Sequence, residues 1–341
     1  MVMKSVDEVL EAAEERVEMP SDRLREALGT LASLSDDEHQ EAHLRIAKAL
    51  PTVKSPGGAG FLALWVGAVV EGGVDPEASV EYVQEALFGW LRSLPEPPED
   101  DEEEASPSSR LPADQLGGIE MLETSLVAHL SRCEPALLAF RKNDEARELV
   151  VRACDWEAGG AYLREILNQC SGNLVILHGS EARGCVVRYR NLSNCFHLFT
   201  LLQGALEGKM PGSRKASRET LEIARGEEWG DVSDAAWWHY GQPSLPEANL
   251  RALVYGEGSP KSIESVDDVQ VLLVWPPIMQ SRSWTAGFFY PKLQVAPPEV
   301  TVERELLPEE VTDWRNRLGL SRTSTPEPAQ ESSKKPWWKF F

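Results

Sequence analysis

The sequence predicts an α+β protein: a helical N-terminal domain, an acidic linker, then a C-terminal domain whose helices lead into a mixed or antiparallel sheet. Three observations carry that prediction. Apolar residues recur at helical spacing through residues 5–94, seven acidic residues crowd positions 96–104, and the hydrophobic period shortens near residue 173. A chain of 341 residues suits about two domains.

The elements follow in order. Ser5 with Glu8 has the pattern of a capping box, and Val6, Val9, Leu10, Ala13 and Val17 then share one helical face. Ser35 with Glu38 repeats the signature before HQEAHLRIAKAL. Asp75 reads as an N-cap with Pro76 at the first helical position, ahead of Val80, Val83, Ala86, Leu87 and Trp90. About five helices joined by short turns over residues 1–94 predict an antiparallel bundle or a stack of helical hairpins. No fixed repeat period is present.

The stretch PEPPEDDEEEASPSSR opens a segment, 95–112, that has nothing to bury and predicts a disordered linker. The second domain is expected over 113–320. It starts with a helical stripe of Ile119, Leu122, Leu126, Val127 and Leu130, continued by Leu137, Leu138, Leu149 and Val150. NLVILH (173–178) and GCVVRYR (184–190), separated by GSEAR, predict a hairpin, and NLSNCFHLFTLLQGAL (191–206) predicts a helix. LRALVYGEG (250–258), VQVLLVW (269–275), TAGFFY (285–290) and VTVERE (300–305) are expected strands, followed by a short helix from Pro308 to LGL (318–320). Residues 321–341 are expected to be a flexible tail.

Charge bounds the partners. With 55 acidic against 34 basic residues the net charge is −21, which repels phosphate backbones and anionic lipid and suits a basic protein partner. Nucleic acid is therefore not an expected partner. The five cysteines, at 133, 154, 170, 185 and 195, have no CxxC spacing, so neither a disulfide framework nor a zinc knuckle is indicated. The first residues lack the apolar core of a signal peptide, and FLALWVGAVV (61–70) is too short to span a bilayer. The expected compartment is the cytoplasm.

Candidate chemistry is sparse. His39 and His43 stand four apart on a predicted helix but lack the glutamate of a metalloprotease motif and a third ligand; a surface position is expected for both. His178 and Gly179 end a predicted strand, one way to present a general base, but VQVLLVW ends in Pro-Pro with no cysteine for it to activate. Cys195 and His197 are two apart on a helix and face different sides. SPGGAGF (55–61) lacks the lysine of a P-loop, and no GxSxG or GxGxxG occurs. No cofactor and no metal is expected.

Three segments suggest recognition. Trp229, Trp237, Trp238, His239 and Tyr240 form a candidate interface or ligand cluster, set against a plain packing role. GKMPGSRKASR (208–218) offers Lys209, Arg214, Lys215 and Arg218 with no acid among them. The tail ESSKKPWWKFF (331–341) carries Lys334, Lys335, Trp337, Trp338, Phe340 and Phe341, a docking motif of aromatic anchors and steering cations. The expected function is a non-enzymatic protein-binding adaptor, or an acidic inhibitor or regulatory subunit, that docks a partner through this tail. Two other readings stand beside it: a hydrolase using Cys195 or His178, and a peripheral membrane protein tethered by the tail. The tail could also fold back into a groove of its own chain.

Overall fold

The computed structural model describes residues 2–15, 21–31, 34–96, 111–212, 215–235, 238–279, 283–288 and 292–320. The fold is α+β as expected, with most helices in the N-terminal half and a mixed sheet in the C-terminal half. The chain divides into two units: Met1–Asn168 with Tyr290–Ala296, and Gln169–Phe289 with Pro297–Phe341.

The first unit is helical: α1 (Val2–Ala13), α2 (Asp22–Leu31), α3 (Asp36–Ala49), α4 (Pro56–Glu71), α5 (Val80–Arg92), α6 (Ala113–Leu130), α7 (Glu134–Arg141), α8 (Asp144–Asp155) and α9 (Ala161–Asn168). All nine helices contribute to one hydrophobic core. The division therefore falls at Asn168/Gln169 rather than in segment 95–112, because α6–α9 bury their apolar faces with α1–α5. Residues 97–110 of that segment lie outside the described residues.

Local signals explain the helix boundaries. The Ser35–Glu38 capping box forms before α3. Ser5 instead lies inside α1, which already begins at Val2. Asp75 accepts from the Glu77 N–H, but it caps a single 3-10 turn, Pro76–Ala78, and α5 starts after that turn. Buried Glu123 of α6 caps α9 from a distance: Oε2 accepts from the Gly160 N–H at 2.7 Å, and Oε1 from Tyr162 and Leu163 at 3.1 and 3.2 Å. This satisfies backbone donors that the start of α9 leaves free. The glycines of SPGGAGF serve packing. Gly58 lies against the Ala13 carbonyl of α1, and Gly60 lets α4 approach α6 so closely that a Cβ on it would lie 2.8 Å from the Gly118 Cα; one on Gly118 would collide with the Pro56 carbonyl.

The second unit is built on β1 (Cys170–His178), β2 (Gly184–Leu192), α10 (Cys195–Ala205), α11 (Arg218–Arg225), β3 (Ser233–Ala235), β4 (His239–Gly241), β5 (Ser265–Val266), β6 (Val269–Trp275), β7 (Ser283–Thr285), β8 (Glu299–Glu305) and α12 (Pro308–Arg317). The main sheet has strand order β4-β6-β1-β2-β8, with β5 paired to β6. The predicted hairpin is β1–β2; β1 is parallel to β6, which makes the sheet mixed. Leu174, Ile176, Leu272 and Val274 pack on one face, under α10 and α11. Val175, Leu177, Val271, Leu273 and Trp275 pack on the other with Leu318 and Leu320, which follow α12. This alternation is the two-residue period of a sheet covered on both faces.

Two expected strands differ. LRALVYGEG forms a 3-10 turn at Leu250–Ala252, because the Asn249 side chain accepts from the Arg251 and Ala252 N–H groups and bends the chain. Only Leu253 bridges to the sheet there, at Gly241. Among the described residues of TAGFFY, 285–288, only Thr285 is in a strand; Ala286 donates to the Val232 carbonyl, and Ala286–Phe288 forms a 3-10 turn.

Candidate functional site

Two places in the second unit bring function-bearing residue types together: the strand ends of β1 and β6, and a cleft beside the start of β8. At the strand ends His178 is 1% exposed. Its Nδ1 accepts from the backbone N–H groups of Glu181 at 2.9 Å and Ser180 at 3.3 Å, which places the proton of the neutral ring on Nε2. Nε2 is buried, with the Pro211 carbonyl as its neighbouring acceptor. Burial lowers the His178 pKa, with Arg315 acting in the same direction against Glu181 and the Pro211 carbonyl. The imidazole is thus neutral at pH 7 and enclosed.

The residues around it explain the His-Gly pair. The Trp275 indole lies so close to Gly179 that any side chain there would collide with it. Arg315 of α12, itself buried, donates through Nη1 to the carbonyls of His178, Gly179 and Glu181 at 3.1–3.2 Å, fixing the turn between β1 and β2. Glycine after the histidine therefore serves close packing of the β1 and β6 ends.

The thiols offer no reactive partner. Cys170, Cys185 and Cys195 are buried, and burial pushes the Cys185 thiol up to about 11 and that of Cys195 up to about 12. Thiols of that kind stay protonated at neutral pH. His197 is also buried, with Nε2 donating to the Ala224 carbonyl at 2.7 Å. His43 is not on the surface but in the core of the helical unit. No group of three or more histidine, cysteine or acidic side chains is placed to hold a metal among the described residues. No helix there is long and apolar enough to cross a membrane.

The aromatic cluster separates. Trp238 is buried and donates through Nε1 to the Pro211 carbonyl at 2.9 Å. Tyr240 stacks on Phe199, with centroids 3.8 Å apart, and its hydroxyl donates to the Phe199 carbonyl. His239 is buried on β4 with its ring 5.8 Å from that of Trp275. Trp229, by contrast, is 80% exposed. Trp237 lies outside the described residues, as do Lys334, Lys335, Trp337, Trp338, Phe340 and Phe341.

In the loop at 208–218 the described cations have acidic neighbours. Lys215 pairs with Glu207 at 2.9 Å, Arg218 with Glu222 at 2.6 Å, and Lys209 lies 4.0 Å from Glu305; Arg214 lies outside the described residues.

The second place is a half-open cleft of about 300 Å³ between the ends of α10 and α11 and the start of β8. Leu201, Ala205 and Val300 supply its apolar surface, and Arg225, Glu227 and Glu299 its charges. Gly226, in the left-handed conformation, ends α11 and turns the chain out to Glu227 and Trp229. None of these cleft residues was singled out from the sequence. The available signals were the small pair Gly204–Ala205 and the double proline 297–298, both in the cleft lining.

No protein-family model matches the chain, no curated protein matches it, and no solved structure matches it.

Proposed function

We propose that the protein is a non-enzymatic adaptor or regulatory subunit that binds another protein through its aromatic-basic tail, with the Trp229 face as a second contact. The observation that carries this reading is Trp229. A tryptophan 80% exposed, two residues from cleft-lining Glu227, has the chemistry of an interface anchor. The tail supports it by composition: residues 332–341 hold four aromatics and three lysines and no acidic side chain. The reading keeps the cytoplasm as the compartment, supported by five cysteines without a disulfide.

The test is quantitative affinity capture from the native source with three full-length baits: wild type, Trp229→Ala, and a tail variant with Trp337, Trp338, Phe340 and Phe341 replaced by serine. At least one captured protein should fall about tenfold or more with the tail variant, and less with Trp229→Ala. Identical yields for all three baits would refute the adaptor reading.

A further inference from the structure

We propose that the cleft between α10, α11 and the start of β8 receives the chain's own segment Lys335–Phe341. This deepens the adaptor reading, on which it rests for the tail's role as a binding element, and gives that tail a resting place in cis.

Four observations support that occupant. First, the chemistry is complementary. The cleft presents two carboxylates, Glu227 and Glu299, and one guanidinium, Arg225, around an apolar floor. Lysines of the segment match the carboxylates, an indole laid on Arg225 gains a cation–π contact, and the remaining aromatic surface covers Leu201, Ala205 and Val300. Second, the size fits. At about 300 Å³ the cleft is at the small end of ligand sites, suited to one or two side chains rather than a whole cofactor.

Third, β8 is an end strand, with β2 on one side and no strand pairing on the other among the described residues. Glu299 and Val300 belong both to the cleft lining and to the first positions of β8. An extended segment in the cleft would thus run beside the outer edge of β8, where a strand can be added.

Fourth, α12 carries the chain back toward the end of the sheet where the cleft lies. β1, β6 and β8 run parallel to one another, since β8 and β1 are each antiparallel to β2 and β6 is parallel to β1. All three start at the same end of the sheet. α12 reaches toward that end: Arg317 donates to Asp267, in the turn that opens β6, at 3.1 Å. From Leu320, packed on the face opposite α10, the path to the cleft crosses two strand spacings and one layer, about 20 Å. Residues 321–334 can extend to about 48 Å, so they span this path with slack. Tethering at that length gives an effective concentration on the order of millimolar, enough to populate a weak site.

The test uses full-length chains. Zero-length carbodiimide coupling, followed by mass spectrometry of the monomer fraction, should join Lys335 or Lys339 to Glu227 or Glu299. A mixture of light and ¹⁵N-labelled chains separates coupling within one chain from coupling between two. Ala205→Arg, which fills the cleft with a cation, should lower that yield at least about fivefold with an unchanged thermal midpoint. Hydrogen exchange supplies a second measurement. Amides of Val300–Val302 should exchange at least about fivefold faster in the tail variant than in wild type.

Absent cross-links, cross-links only between copies, or a yield insensitive to Ala205→Arg would each overturn the proposal. Partner capture surviving in that event would leave the adaptor reading standing. Loss of partner capture alongside intact cross-links would refute the adaptor reading and keep the cleft.

Discussion

A single buried imidazole links sequence to acid sensitivity. His43 sits on α3 in the helical core, and its Nε2 has no hydrogen-bond partner among the described residues. Burial, the larger cause, together with nearby His129 lowers the His43 pKa from 6.5 to about 4. His129 is held neutral nearby: Nδ1 donates to the Ser125 carbonyl at 2.7 Å, while Nε2 meets Ser79 Oγ at 3.0 Å. In the unfolded chain His43 takes up its proton near pH 6.5, but in the folded protein only near pH 4. Between those values the unfolded state binds more protons, so stability falls as pH falls through that window. His129 and His178, also lowered, contribute with the same sign. Replacing His43 with leucine removes one of these protons and leaves an apolar side chain in an apolar site. Urea midpoints for both proteins at pH 7, 5.5 and 4.5 should show a shallower decline for His43→Leu, with the variant at least as stable at pH 7. Parallel declines would mean that His43 does not titrate on unfolding.

The pairing of α4 with α6 depends on which side of a helix a missing side chain falls. Gly117 and Gly118 are neighbours in α6, yet a Cβ on Gly117 meets nothing within 4 Å while one on Gly118 collides with the Pro56 carbonyl. Glycine inside a helix costs conformational entropy, so Gly117→Ala should stabilise the protein by about 0.5–1 kcal/mol. Gly118→Ala must push α4 away and should destabilise by about 2–3 kcal/mol. Denaturant unfolding of the two variants checks both signs; equal effects would show that α4 and α6 are not in close contact. These elements also mark how far the sequence was legible. The Ser35–Glu38 box and the Val-rich strands β1, β2, β6 and β8 announce themselves through local hydrogen bonding and period. SPGGAGF could be read only as lacking a P-loop lysine, because its role lies in partner helices more than forty residues away. LRALVYGEG has strand-like composition but bends at the Asn249 side chain, a local competition that composition does not display.

At the scale of the whole molecule, the first unit has one hydrophobic core and the second has two, one on each face of its sheet. The linker segment 95–112 was legible as a break in composition, but composition does not say which helices share a core, and those on both sides of it share one. The candidate site was less legible still. Trp229 and Trp238 look alike in sequence, and only the fold separates the exposed one from the one bonded to Pro211. The cleft draws on three elements whose residues, 201 to 300, spread over about a hundred positions. Separate cores lead to a last prediction, centred on Arg315. Its guanidinium satisfies three turn carbonyls within the second unit. Arg315→Met keeps most of the apolar stem but leaves those carbonyls without their donor, which should cost about 2 kcal/mol or more. The cost belongs to one unit. Native-state hydrogen exchange should therefore show faster opening for amides of β1, β2 and β6, with little change in α3, α4 and α6. Equal loss of protection in both sets would mean that the two units open as a single cooperative body.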